Sequence, residues 1–436
     1  MYRLMIAIAC LGCLLLTLPA PCFSAQENVL TLEEAVDTAV RNHYRIREAA
    51  ENQLAARQEI KSARADFLPK ASATYSYTNI KEKPFQKMGA MSMQTADRTQ
   101  FHWDISLIQP LFTGFALTSK YEMTKLQDAI REEEKQQAIL DIARDVKQTY
   151  FTVLLSQKMM AVAEDEVEAL TAQRDDAQKF FDQGLIPRND LLRSQVALAS
   201  ALQNREKARA DERLNFSRLN TLLVRKIDHP TVVRDIDTLP EESGDRGTLV
   251  KESMGKRPVL KITRLGIDTL ETGIALARST YYPELSLVGS YEENGDDLQI
   301  SNNDFNNRHN AFVVVEARWT FFEWGKKRAD VAKARHDREA LINRLKEIED
   351  GVRLEITNAL LSLGVARANI ETAEKALEQA KENWRITKLQ YDQQMVTSSD
   401  VLDARAYLTQ ADSNYYRARY GYLIALASLH RAVGRR

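Results

Sequence analysis

Cysteine is all but missing. Cys10, Cys13 and Cys22 are the only three in 436 residues, and all stand in the first 22. The segment that holds them reads as a secretory signal peptide over residues 1–25: Arg3 supplies the positive start, Leu4 to Leu18 the apolar core, and Pro19–Ala25 a breaker and small-residue exit. Cleavage after Ser24 or Ala25 leaves a mature chain without cysteine, which excludes disulfides, thiolate metal sites and cysteine nucleophiles. Pro21 before Cys22 is a poor match to a lipoprotein signal, so no lipid anchor is expected there. An excess of one charge is also absent: 60 Lys+Arg face 61 Asp+Glu, so no nucleic-acid partner is expected. Beyond the N-terminus no apolar run approaches the ~20 residues that a membrane-spanning helix needs, and the mean hydropathy of −0.40 excludes a polytopic helical membrane protein. The six histidines (His43, His102, His229, His309, His336 and His430) are scattered, outside any HExxH string. Neither a Gly-rich phosphate loop nor a nucleophile elbow is present. An enzyme is therefore not expected, and no cofactor or metal site is.

Proline and glycine are few (ten and sixteen) and unevenly placed. What fills the chain instead is a repeat. Ala63-Arg64-x-x-Phe67-Leu68-Pro69 returns as Ala277-Arg278-x-x-Tyr281-Tyr282-Pro283, and Phe181-Asp182-Gln183-Gly184 with Asp190-Leu191-Leu192 returns as Tyr391-Asp392-Gln393-Gln394 with Asp400-Val401-Leu402. The offsets are 214 and 210, the mark of a duplicated supersecondary unit rather than a short solenoid period. The copies are placed at 26–235 and 236–436. Each reads helix, strand, strand, very long helix, helix. Thr31 with Glu34 forms a capping box that opens the first helix, which is expected to run to Pro69; its counterpart is expected from Thr248 to Pro283.

Between Gly114 and Gly184 lie 69 residues with neither Gly nor Pro, enough for roughly 100 Å of helix. The long helices are expected at about 114–183 and 325–394. In the second, Leu341, Leu345, Ile348, Val352, Ile356, Ala359, Leu363, Ala366, Ile370, Ala373, Leu377, Ala380 and Trp384 step by four and three, a coiled-coil seam with a stutter at Ile348–Ile356.

The hairpins are expected at about 71–112 and 284–322. Phe101, Trp103, Ile105 and Leu107 alternate with polar residues for the most part, as do Val313, Val315, Ala317, Trp319 and Phe321, and the runs at Ala71–Tyr77 and Leu285–Tyr291 behave alike. Runs of ~10 residues with aromatic ends suit transmembrane β-strands, apolar toward lipid and polar toward a lumen. The same period also suits a half-buried sheet covered by helices. Four strands cannot close a barrel, and lipid forbids open edges, so the barrel reading demands an oligomer. The connections 80–100 and 292–310 read as solvated polar loops. A secreted or periplasmic coiled-coil structural or adhesion protein is the alternative, and there Trp103 and Trp319 would lie under helices.

Taken in order, the signal sequence, the duplicated unit, Ala-Arg-x-x-aromatic-x-Pro before each hairpin and Phe/Tyr-Asp-Gln…Asp at each long-helix end resemble the TolC-type outer-membrane efflux proteins, from about Leu30 to Gly434. The resemblance implies a mostly α fold with a transmembrane β-barrel: a homotrimer in the Gram-negative outer membrane, with a 12-stranded barrel continued by a coiled-coil α-helical tunnel into the periplasm. It implies a passive exit duct for tripartite efflux or type I secretion, served by a periplasmic adaptor protein and an inner-membrane transporter. Trp103, Trp319, Tyr75 and Tyr291 would face lipid. Asp400 and Asp403, i and i+3 on one helical face, would line the periplasmic constriction, and Tyr391 and Asp190 would link the closed mouth. The latch arginine of the family is matched here by Val396, with Arg188 or Arg405 as candidate replacements. The tips at Gly184, Arg188, Gln394 and Thr397 would meet the adaptor. A plainer reading also fits the acids, since Thr397 or Ser398 is a good N-cap and carboxylates in a first turn favour the helix dipole.

Overall fold

The computed structural model describes residues 29–436 apart from 243 and 306, so the signal peptide and Cys22 lie outside the described residues. The elements run α1 (Leu32–Asn42), α2 (Tyr44–Ala65), β1 (Lys70–Asn79), β2 (Phe85–Met88), β3 (Met91–Gln94), β4 (Thr99–Thr113), α3 (Ala116–Asp182) and α4 (Arg188–Leu222). The second copy follows with α5 (Arg246–Lys256), α6 (Pro258–Ser279), β5 (Glu284–Gly295), β6 (His309–Arg318), α7 (Lys326–Asp392) and α8 (Ser398–Val433).

Two rods dominate. α3 and α7 have 67 residues each, about 100 Å at 1.5 Å per residue. The distal half of each pairs with the helix that follows it, α4 or α8, while α2 and α6 flank the proximal halves. The seam reading of α7 holds. Val352, Ile356 and Leu363 are buried in the main core, with Leu345, Ile348, Ala359, Ala366 and Ile370 packed against it. Leu377, Ala380 and Trp384 build a second cluster with Leu408 and Ala411 of α8.

The main core sits at mid-rod, where α1, α5 and the end of α8 gather around Ile142, Val146, Tyr150 and Leu154 of α3. The Tyr150 hydroxyl lies 2.8 Å from the Leu30 carbonyl and 2.7 Å from that of Arg234, and accepts from the Arg234 N–H at 3.0 Å. It holds the chain start and the 225–236 connection, joined by a Leu30–Val233 bridge, against the rods.

The first helix of each copy differs from expectation. It is broken in two, at His43 (φ −63, ψ 133) and at Arg257 (φ −65, ψ 119). In the second copy the cause is Pro258, which pushes the preceding residue into the extended region and begins α6 at its first position. In the first copy, His43 has no proline after it; its Nδ1 accepts from the Arg45 N–H at 3.2 Å and so caps α2. The α1 capping box of Thr31 and Glu34 is formed. The α5 cap is Asp245, three residues before the expected Thr248.

The four long strands form one antiparallel sheet in the order β1-β4-β5-β6, with a bulge between Pro110 and Phe112. β6 ends at Arg318, so Trp319 and Phe321 lie past the strand rather than in it. The connection 80–100, expected as a plain loop, holds the β2–β3 hairpin.

Candidate functional site

Register decides what the sheet can do. Tyr75 pairs with Trp103 and Trp103 with Glu293, while Ile105 pairs with Tyr291 and Tyr291 with Ala311. Directly paired residues share a face, so the apolar runs of all four strands fall on one side: Ala71 to Tyr77, Phe101 to Leu107, Leu285 to Tyr291 and Ala311 to Ala317. Trp103 stands edge-on to Tyr291 at 5.7 Å, and Tyr77 meets Phe101 at 5.1 Å. The other side carries most of the polar residues: Ser72 hydrogen-bonds Ser106 at 2.8 Å, His102 meets Asn294 at 2.8 Å, and the Asn310 amide donates to Glu292 at 3.1 Å.

Among the described residues no helix packs over either face, and β1 and β6 each leave one edge unpaired. Val313 is 75% exposed on the apolar side. An apolar sheet face with two free edges is an aggregation hazard in water. It becomes stable where lipid covers the face and further strands close the edges. Where strands give way to helices, Phe115, Tyr281, Tyr282, Trp319, Phe321, Phe322 and Trp324 form an exposed aromatic collar. The Trp319 Nε1 donates to the Tyr281 carbonyl at 3.2 Å. Amphipathic rings of this kind suit a membrane–water boundary.

At the far end of the rods, both turns close in the same way. Gly184 (φ 73) and Gln394 (φ 59) take the left-handed conformation. Leu185 N–H donates to the Phe180 carbonyl and Met395 N–H to the Gln390 carbonyl, each at 2.9 Å. This satisfies the last carbonyls of α3 and α7. α8 then opens on a capping box: the Asp400 carboxylate accepts from the Thr397 N–H (2.8 Å) and hydroxyl (2.7 Å), and the Asp400 N–H donates to Thr397 Oγ1. The Thr397 side-chain and backbone hydrogen bonds hold the Asp400 carboxyl below its ordinary pKa. Asp403 is exposed one turn along. α4 opens differently. Its cap is Pro187, with no side-chain hydrogen bond, so Asp190 sits in the first turn and contributes only its charge.

The expected links are placed as follows. Tyr391 is 2% exposed, with its ring edge-on to Phe180 at 5.6 Å. Its hydroxyl faces Ser398 and Gln173 without a close hydrogen bond, so within one protomer it does not reach Asp190. Arg405 is buried, with its guanidinium 5.7 Å from the Trp384 ring centroid, and burial lowers its pKa against the opposing charges of Glu166 and Asp165. Arg188 is exposed at the first position of α4.

What does tie the two helical hairpins at the tip is a contact that sequence reasoning missed. Lys388 of α7 bridges Asp176 of α3 at 2.9 Å and Asp392 of its own helix at 2.8 Å. Nearby, the buried hydroxyls of Ser194 and Ser398 stand 3.2 Å apart. Spacing signals the Lys388–Asp392 pair, four residues apart, but nothing in the sequence pairs residue 388 with residue 176.

Rods of this length attached to a four-stranded sheet with a lipid-suited face define a membrane duct subunit. The comparisons name its family. The sequence matches Outer membrane efflux protein over residues 35–224 and 249–435, and the chain belongs to that family of outer-membrane channels, which are not enzymes. It is 23% identical to the outer membrane protein TolC of Vibrio cholerae, across 92% of this chain and 90% of that protein. To the alkaline protease secretion protein AprF of Pseudomonas aeruginosa it is 24% identical, across 93% and 84%. In three dimensions it resembles the CmeC outer membrane channel of Campylobacter jejuni with a TM-score of 0.79, at 17% identity over 92% of this chain and 85% of that one.

Proposed function

We propose that three copies of the chain close a 12-stranded barrel in the outer membrane, β1 of each pairing with β6 of the next, and that the rods continue it as a tunnel through the periplasm. The observation that carries this reading is the strand register, which sorts four strands into one lipid-suited face and one polar face and leaves two edges to be satisfied. Leu354, Leu361 and Val365, exposed along α7, supply apolar surface for rod-to-rod packing between subunits. The duct conducts passively, fed by an inner-membrane transporter through a periplasmic adaptor that meets the tips around Gly184, Arg188, Gln394 and Thr397. AprF, by its name, serves protease secretion, so type I secretion stands beside tripartite efflux.

At the mouth, threefold symmetry brings three copies of Asp400 and of Asp403 around one axis. Two carboxylates ~6 Å apart at an effective dielectric of ~20 repel by about 3 kcal/mol, so the ring recruits cations. Lys388 and Asp176 do the closing work that Val396 cannot, holding α7 to α3 within each subunit.

The test is planar-bilayer conductance of the detergent-purified protein, with its mass measured in parallel. A particle of three chains with cation-preferring current, blocked by divalent cations and released from block in the Asp400→Ala/Asp403→Ala variant, is the expected result. A monomer that stays in solution without detergent overturns the barrel, and unchanged selectivity and block in the double variant overturn the role of the acids.

A further inference from the structure

The connection between β1 and β4 carries a device that conduction does not require. β2 and β3 pair around the two-residue turn Gly89-Ala90, with Gly89 left-handed. Met88 stands directly opposite Met91, and Gln86 opposite Met93. Paired residues share a face, as do residues two apart on one strand. Met88, Met91 and Met93 therefore lie on one side of the hairpin with Gln86, while Phe85, Lys87, Ser92 and Gln94 take the other. The three methionines are 66%, 78% and 61% exposed, and the hairpin pairs with no other strand among the described residues. Three of the chain's ten methionines thus fall within six residues.

Such a face is a donor set. Directly opposed side chains start about 5 Å apart and diagonal ones about 7–8 Å, a span that long unbranched thioether arms close around one ion. Thioether sulfur is soft and selects monovalent ions such as Cu(I) over hard cations. No imidazole or carboxylate shares the face, so it lacks the donors that zinc and calcium take. The tight turn fixes the register, which limits the conformational freedom lost when the arms converge on an ion.

We propose that Met88, Met91 and Met93 form a thioether site for one soft monovalent metal ion, Cu(I) or Ag(I), per chain. The site does not depend on the barrel reading. That reading adds its location: the hairpin lies at the end of the sheet away from the rods, so three copies would ring the outer mouth.

The test uses Ag(I), which needs no reductant. The detergent-purified full-length protein, labelled at the methionine methyls, is titrated with silver nitrate in chloride-free buffer and followed by NMR. The Met88, Met91 and Met93 signals are expected to move together and saturate at one ion per chain. Met395, exposed but alone, serves as the control for a single thioether and is expected to lag far behind. Calcium and zinc are expected to leave all these signals in place. Changing the three residues to leucine keeps the apolar surface and is expected to weaken silver binding about tenfold or more, with the oligomer and helix content unchanged. Equal silver affinity in the triple-leucine variant, or a hairpin response no stronger than that of Met395, overturns the site.

Discussion

The two copies within the chain reach one backbone by different residues. Where sheet passes into rod, each places two consecutive residues in the left-handed region: Gly114 and Phe115 before α3, Trp324 and Gly325 before α7. The glycine has changed places. At Gly114 a side chain is excluded, because a Cβ there would run into the Ser279 carbonyl oxygen, whereas at Gly325 the space is open. The helix break is capped by His43 in one copy and anchored by Arg257 in the other. At the tip, Gly184 and Pro187 answer to Gln394 and Thr397. What must match between the copies is φ and ψ, since β4 and β6 run in the same direction and each rod leaves the sheet from the end of its strand. Charge and capping are free to diverge: at the tip α8 opens on a capping box with an acidic pair, and α4 opens without a side-chain cap.

Four measurements break or sharpen this asymmetry. The largest effect is expected at the helix breaks. The Arg257 guanidinium, 6% exposed, pairs with Glu355 at 2.9 Å and donates to the Ala432 carbonyl at 3.0 Å. Glu355 keeps Arg431 at 2.6 Å, so Arg257→Ala is expected to cost about 2 kcal/mol, chiefly by leaving the Ala432 carbonyl without its donor. His43→Ala removes only a cap, about 1 kcal/mol. Thermal unfolding of the detergent-solubilised protein reads both, and equal losses would erase the distinction. Next, Thr397→Ala is expected to cost about 1 kcal/mol and to speed hydrogen exchange at the start of α8. Pro187→Ala, which removes no side-chain cap, is expected to leave the start of α4 as it was.

The third effect is a gain. Gln394→Gly places the permissive residue at a positive φ and is expected to stabilise by about 0.5–1 kcal/mol, with Gly184→Gln costing a similar amount. A loss of stability in Gln394→Gly would show that the glutamine side chain holds the turn. The smallest is the Asp176–Lys388 tie, a partly exposed pair worth up to about 1 kcal/mol. Burial pushes the Asp176 carboxyl up, but the hydrogen bond and charge of Lys388 outweigh it and hold the pKa low. Burial pushes Lys388 down, but its hydrogen bonds to Asp392 and Asp176 outweigh that and raise its pKa. A carboxylate with a lowered folded pKa stabilises above its unfolded pKa of about 4, and loses that contribution as pH falls through the folded value. A raised ammonium stabilises below about 10 and loses its contribution as pH climbs past the folded value. The tie therefore operates fully between those limits. Acidification is expected to raise the open probability of the mouth in the parent and to do so less in Lys388→Met; identical acid responses would remove the tie from gating.

Much of this was legible in the chain. The Thr31 capping box, the rod lengths and the α7 seam follow from local rules of period and capping, and local rules hold wherever neighbours in sequence supply the partners. The break at Arg257 was written in Pro258 and passed over, and the matching break at His43 had no such signal. The alternating run ending in Trp319 and Phe321 continued past the true end of β6 because a collar of exposed aromatics looks, in one dimension, like more strand. The Met hairpin was hidden because strands of four residues each are too short for an alternation to stand out. Lys388 and Asp176 are 212 residues apart, and no spacing rule reaches that far.

By itself, the sequence determined the duplication, the uninterrupted rods and the apolar face of each strand, because each of these is set by the order of residues along a few turns or a few pleats. Only the tertiary structure decided that the four apolar faces coincide, that no helix among the described residues covers them, and that Lys388 reaches Asp176 at the tip. Those facts depend on register and on contacts between distant segments, which are fixed only when the whole chain packs.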